Sequence, residues 1–220
     1  MKNTLNSSIS IAVAQLNFTV GDLVANADRV IAAIADARSA GADLLLTPEL
    51  ALSGYPPEDL LLRPDFYRAC ARETARIVAA SQGMCVVLGH PVEAEEGYFN
   101  AASVIIDGLV VATYHKHLLP NYEVFDEERY FEAGLVPCVF DYKGVRLGVT
   151  ICADLWEPAP AALARSAGAD ALLSLNASPF HMNKQVTRHG TLKRRVQETG
   201  IPAVYVNMVG GQDELVFDGA

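Results

Sequence analysis

The feature that most constrains this chain is an alternation of helix-period and strand-period segments that tight turns twice interrupt. Ile9 to Leu16 (ISIAVAQL) is a β-branched apolar run of strand length, and ADLLLTPEL, MCVVLGH and IPAVYVNM are further strand-like runs. Between them lie helical patterns. NADRVIAAIADARSA is opened by Asp22 and closed by Gly41, and DFYRACARETARIVAAS is stopped at Gly83. PAPAALARSAG and the polar NKQVTRHGTLKRRVQETG follow the same pattern. Alone, this alternation would predict a doubly wound parallel sheet. Two stretches oppose that. NAASVIIDGLVVATYHK reads as a hairpin because Asp107-Gly108 tolerates positive φ, and VPCVFDYKGVRLGVTIC reads as another turning at Lys143-Gly144. A mixed-sheet α/β sandwich fits both kinds of signal. SAGADLL (Ser39–Leu45) also echoes SAGADAL (Ser166–Leu172), each a helix end, a glycine cap and an aspartate leading into a buried strand. Either helix-to-strand joints reuse Gly-Ala-Asp, or two similar α/β halves pack face to face.

Composition narrows the function classes. The 220 residues hold 17 basic and 26 acidic side chains, for a net charge of −9, which argues against a nucleic-acid binder and against a polybasic membrane surface. No apolar run reaches the ~18 residues of a membrane span. The first residues, MKNTLNSSIS, lack the apolar core of an export signal, so the expected location is cytoplasmic. Cys70, Cys85, Cys138 and Cys152 form no CxxC pair, and the five histidines show no metal-ligand spacing, so no metal site is expected. Free thiols packed as small core residues are the reading for most of the four. The KRR run from Lys193 to Arg195 reads as a solvated helix face.

In α/β sheets, reactive groups gather past the carboxyl ends of strands. Cys152 closes the strand VRLGVTIC, Glu49 follows LLLTP, and Lys116 follows VVATYH. His115 and His117 alternate with Lys116 and so point away from it. A thiol, a carboxylate and an ammonium suffice to hydrolyse an amide through a thioester. A nearby cation lowers the thiol's pKa, and the carboxylate takes the thiol proton and later activates water. The ammonium and the amide N–H of Ala153 hold the oxyanion.

These strings resemble the nitrilase, or carbon–nitrogen hydrolase, superfamily, whose members place a Glu-Lys-Cys triad on a four-layer αββα sandwich. LLLTPELALSGYPPEDLL, YHKHLLPNYEVFDEERYFEAG, GVTICADLW and LNASPFHMNK are similar to the N-terminal glutaminase domain of bacterial glutamine-dependent NAD⁺ synthetases. The resemblance implies Glu49 as general base, Lys116 as oxyanion and orienting residue, and Cys152 as nucleophile, with Glu127 holding the lysine. It places Tyr122, Ser178 and Lys184 against the substrate glutamine, although Lys184 also reads as an ordinary helix-start lysine. Asp154 and Trp156 match the family string and are expected to shape the turn. The family commonly has an acidic residue directly after the cysteine, where this chain has Ala153; the oxyanion role there uses backbone. No SGGxDS, GxxxxGK[ST] or GxGxxG string occurs.

The chain therefore reads, over residues 1–220, as a C-terminally truncated glutamine amidohydrolase domain that needs no cofactor. ATP and Mg²⁺ belong to the synthetase domain expected to follow it, which would use the ammonia to amidate deamido-NAD⁺. A homo-oligomer is implied by the family. Two other readings stay open: a free-standing hydrolase of another small amide, and a catalytically silent interaction module.

Overall fold

The computed structural model describes residues 8–220, so most of the polar start MKNTLNSSIS lies outside the described residues. Two sheets form its middle. In the first, β1 (Ile11–Val13), β2 (Leu44–Leu46) and β3 (Cys85–Ala94) are parallel, and β4 (Gly97–Ile106) and β5 (Leu109–His115) extend it antiparallel. In the second, β6 (Cys138–Tyr142) pairs antiparallel with β7 (Val145–Ile151). The strands β8 (Ala171–Asn176) and β9 (Ala203–Asn207) then follow in parallel.

Alternation along the strands builds the layers. Leu44, Leu46, Cys85, Val87, Ala102 and Val104 of the first sheet meet Phe140, Leu147, Val149, Leu173, Leu175 and Val206 of the second in one dry core. The opposite faces, with Leu45, Val86 and Leu88 on one side and Leu172 on the other, are covered by helices. α1 (Leu23–Ser39) and α2 (Pro64–Ala80) cover the first sheet; α3 (Pro158–Ser166) and α4 (Lys184–Thr199) cover the second. Buried Leu23, Ala27, Val30, Ile34 and Ala37 form the helical stripe expected of α1, and Asp22 caps it by accepting the Ala25 amide at 3.2 Å. The result is the expected αββα sandwich. No helix among the described residues is long and apolar enough to cross a membrane.

The two SAGAD strings prove to be one device used twice. Gly41 and Gly168 take positive φ, 76° and 94°. The following alanine amides reach back to close the helix ends, Ala42 to Ala37 at 2.9 Å and Ala169 to Ala164 at 3.0 Å. Each aspartate amide then donates to the strand beside it, Asp43 to Ser10 at 2.8 Å and Asp170 to Arg146 at 2.7 Å. Each carboxylate accepts that residue's amide in return, at 2.8 Å and 3.0 Å. One copy serves each sheet.

Both hairpins form where expected, with Asp107 and Lys143 at φ 54° and 51°. Four details differ from the sequence reading. β1 is short because the Gln15 and Leu16 amides bond back to Val13 and Ala14, bending the chain out of the sheet. β3 runs on to Ala94 because all ten of its residues find partners in β4. A C-terminal hairpin, β10 (Val209–Gln212) with β11 (Leu215–Asp218), has no Asx-Gly turn to announce it. Finally, Arg195 is not on a solvated face: it is buried with Arg188 and Thr191 on one side of α4 and pairs with Glu198, while Lys193 and Arg194 are exposed.

Candidate active site

Glu49 emerges two residues beyond Thr47, whose hydroxyl donates to Val87 O and accepts the Gly89 amide at 3.0 Å, so the turn is pressed onto β3. A Cβ at Gly89 would sit 2.3 Å from Pro48 O, which is why that strand position has no side chain. The Glu49 carboxylate is fully buried and is met from three directions. Lys116 Nζ donates to Oε1 at 2.6 Å, Asn100 Nδ2 to the same oxygen at 2.8 Å, and the Ala177 amide to Oε2 at 3.1 Å.

Lys116 arrives from the end of β5 and is itself 1% exposed. Glu127, on a short 3₁₀ turn (Glu127–Arg129), takes the ammonium on both oxygens at 2.8 Å and accepts the Tyr55 hydroxyl at 2.9 Å. Burial alone would push the Lys116 ammonium toward losing its proton. Glu127 and Glu49 outweigh it and hold the pKa above the ordinary lysine value. The cost falls on Glu127: burial raises its pKa to about 7, with Lys116 opposing and Glu49 adding to the rise.

Cys152 stands where β7 runs into a 3₁₀ turn, Cys152–Leu155, in a left-handed conformation at φ 42°. A non-glycine residue held there is strained and persists only where its surroundings impose it. Asp154 imposes it. Its buried carboxylate accepts the amide of Ile151 at 2.9 Å, just before the cysteine, and those of His117 and Leu118 at 3.1 and 2.9 Å, just after Lys116. The Tyr114 hydroxyl supplies a fourth bond at 2.8 Å. Asp154 thus shapes the turn, as expected, and also ties the thiol's strand to the lysine's.

A cavity of about 120 Å³ opens over these groups, lined by Cys152, Ala153, Lys116, Glu127, Tyr55, Tyr122, Phe125, Trp156, Ser178 and Lys184 among others. A larger cavity of about 290 Å³ shares Tyr55, Phe125 and Glu127 with it but contains neither the thiol nor the lysine. The Cys152 thiol is pushed well above the ordinary cysteine range, first by burial and then by Glu49, against the pull of Lys116. Lys116 lowers the thiol's pKa in the expected direction, but burial and Glu49 outweigh it.

The expected site residues are therefore brought together. Glu49, Lys116 and Glu127 are directly bonded, and Cys152, Ala153, Ser178, Lys184 and a largely exposed Tyr122 line one cavity with Lys116. Lys184 is both the first residue of α4 and a wall of that cavity. Its Nζ lies 4.7 Å from the centre of the Trp156 ring, so Trp156 does more than shape the turn. His115 stacks on Phe99 and His117 faces Val136 O, both away from the cluster. Among the described residues no group of His, Cys, Asp or Glu is arranged to hold a metal ion.

Three further residues escaped the sequence reading. Asn100, fully buried, bridges Glu49 and, at 3.4 Å, Glu127; it sits beside Lys116 through the β4–β5 pairing. Tyr55 donates to Glu127. Arg188 of α4 donates through Nε to the Ser178 hydroxyl at 3.2 Å and through Nη2 to the Ser178 and Pro179 carbonyls at 2.8 Å. It also pairs with Asp218 of β11. The polar residue opening AASVII opposite Lys116 was a usable signal for Asn100; nothing local marks Arg188.

The carbon-nitrogen hydrolase family model matches residues 10–219. The chain belongs to that family. It is 50% identical over 219 residues to a glutamine-dependent NAD(+) synthetase of Xylella fastidiosa, covering 98% of this chain and 40% of the relative. The corresponding figures for the Aquifex aeolicus protein of that name are 42% identity, 96% and 37%. Among solved structures, the Acinetobacter baumannii glutamine-dependent NAD⁺ synthetase, in complex with ADP, superposes with a TM-score of 0.92 at 37% identity, over 96% of this chain and 40% of that one. An amidase from Nesterenkonia sp. gives 0.86 at 29% identity, over 97% of this chain and 81% of the amidase. A variant of the Nesterenkonia amidase shows covalent addition of the acetamide moiety of fluoroacetamide at its active site cysteine. The chain spans about 40% of the length of these curated relatives.

Proposed function

We propose that this chain hydrolyses L-glutamine to glutamate and ammonia through a thioester on Cys152. Glu49 takes the thiol proton as Sγ attacks the side-chain amide carbon, and the carbonyl electron pair moves to oxygen. The Lys116 ammonium and the Ala153 amide hold that oxyanion. When the tetrahedral species collapses, the C–N bond breaks and Glu49 returns the proton to the departing nitrogen as ammonia. Water then attacks the thioester, giving its proton to Glu49; the C–S bond breaks, the proton returns to sulfur and glutamate leaves. Glu127 keeps Lys116 charged and in place throughout. Burial and Glu49 hold the thiol above the ordinary cysteine range, which favours proton transfer to Glu49 in step with attack over a preformed thiolate.

The observation that carries glutamine over a plain amide is Lys184. Lys116 and Lys143 each have a carboxylate partner, whereas Lys184, which lines the cavity, has none among the described residues. With Ser178 and Tyr122 it suits the α-carboxylate end of an amino-acid substrate. The relatives' names, glutamine-dependent NAD(+) synthetases, support the same substrate. In a longer protein the ammonia would pass on to a synthetase domain that amidates deamido-NAD⁺ with ATP and Mg²⁺, the use expected from the family resemblance. No cofactor takes part in the glutaminase steps. Four unpaired, buried cysteines support a cytoplasmic setting. The likeness to an amidase favours a second reading, a hydrolase of another small amide.

Ammonia release from L-glutamine and from acetamide, measured beside Cys152→Ala, tests this. Release from glutamine in preference to acetamide, lost in the variant, is the expected result. Release that survives the substitution overturns the mechanism, and preference for acetamide establishes the second reading.

A further inference from the structure

We propose that Trp156 is a specificity-determining residue, whose ring presents the Lys184 ammonium to the anionic end of the substrate. The proposal rests on the reading of Lys184 as the carboxylate ligand and says how that ligand is kept ready.

Three observations support it. The Lys184 ammonium lies 4.7 Å from the Trp156 ring centre, within cation–π range, and both side chains line the cavity that holds Cys152. Lys184 opens a sixteen-residue helix whose first turn carries no acid, so the backbone dipole there adds positive potential and a lone ammonium is poorly placed unless an anion joins it. The Trp156 amide donates to Ala153 O at 3.0 Å, closing the same turn that begins with Cys152. The ring is therefore fixed to the nucleophile's own turn, which Asp154 fastens in place.

An aromatic face suits this task better than an acid would. A carboxylate beside Lys184 would cancel its charge and compete with the substrate. A ring attracts the ammonium, restrains its flexible stem and leaves its charge available. The distance from thiol to ammonium is then set by one short turn, which selects amides by where their carboxylate lies.

The test is a double-mutant cycle on L-glutamine affinity, measured by titration calorimetry in Cys152→Ala protein so that turnover is not needed. Lys184→Met removes the charge and keeps the stem. Trp156→Leu removes the ring's electrons and keeps an apolar wall, and Trp156→Phe restores an aromatic face. Trp156→Leu is expected to weaken binding about three- to tenfold, Trp156→Phe by less, and Trp156→Leu to add nothing in the Lys184→Met background. Equal weakening by Trp156→Leu in both backgrounds would make Trp156 a plain wall and overturn the proposal, as would no weakening in either. If Lys184→Met leaves glutamine affinity unchanged, the carboxylate reading of Lys184 fails first. If the parent binds no glutamine, the substrate reading fails before both.

Discussion

The two halves of the sandwich share the leading ends of their strands and differ at the carboxyl ends. Asp43 and Asp170 lock helix to sheet through the same set of bonds, and the strands that follow run parallel to equivalent neighbours. At equal separations beyond those aspartates stand Glu49 in one half and Asn176 in the other. Glu49 takes the Lys116 ammonium. Asn176 spends its amide on Ser174 O and Val206 O, at 2.9 and 3.0 Å, inside its own sheet. The neighbouring strands invert the pattern: the position matching Cys152 is Leu16. One half thus supplies the carboxylate and the other the thiol, while Lys116 comes from the antiparallel extension. Fold is written where the halves agree and chemistry where they part.

Substitutions at the carboxyl ends should therefore remove activity with little effect on folding. Cys152→Ala and Glu49→Gln are expected to lower ammonia release by about a thousandfold or more while leaving the thermal midpoint near that of the parent. Asn176→Asp sharpens the contrast. It puts a carboxylate at the place matching Glu49 but among carbonyls and with no cation, so it should destabilise by roughly 3 kcal/mol or more and leave the reaction's rate per folded molecule unchanged. A well-folded, fully active Asn176→Asp protein would show that the two ends are not as different as their partners suggest.

Lys116 holds Glu49 and Glu127 together, so its loss should be felt in stability as well as rate. Lys116→Met leaves Glu49 and Glu127 buried without a cation and should cost about 3–5 kcal/mol in denaturant unfolding at neutral pH. Glu127→Gln should cost less in the Lys116→Met background than in the parent, because the ammonium it would lose as a partner is already gone. Strict additivity of the two substitutions would mean that the cluster does not act as a unit.

How much of this was visible in the sequence follows the same division. The turns at Asp107-Gly108 and Lys143-Gly144, the glycine caps and the alternating strands are local, and they formed as read. Glu49, Lys116 and Cys152 were legible because each ends an apolar strand, a position that needs no knowledge of the partner. Glu127 needed the family resemblance, since an acid in FDEERYF looks like any solvated turn residue until Tyr55 and Lys116 surround it. Arg188 is fixed by Ser178, Pro179 and Asp218, all outside its helix, and Arg195 is buried in that same polar helix, where a polar residue gives no local sign of being buried.

Glu127 also gives the site a pH signature. Its pKa is raised by burial to about 7 in the folded chain. A carboxyl shifted upward favours folding while protonated, so its contribution is fully present below the ordinary glutamate value and is lost as pH rises through about 7. Between pH 5 and pH 8 the parent should lose more thermal stability than Glu127→Gln, which cannot ionise. Equal losses in the two proteins would place the titration elsewhere.

The smallest expected effect tests the shared ends directly. Asp43→Ala and Asp170→Ala each remove a carboxylate that accepts one strand amide, so each should cost about 0.5–1.5 kcal/mol in denaturant unfolding and leave glutamine turnover per folded molecule unchanged. Asp43 carries one difference, an ion pair with Lys143, on a surface where such pairs add little. Lys143 and the Ser10 amide hold the Asp43 carboxyl below its ordinary value. Its contribution is therefore present above the ordinary aspartate range and fades only as pH falls through the lowered value, so the gap between parent and Asp43→Ala should close on acidification. Similar costs at neutral pH would mark the two joints as one device; a cost at only one of them would reduce the repeat to a coincidence of sequence.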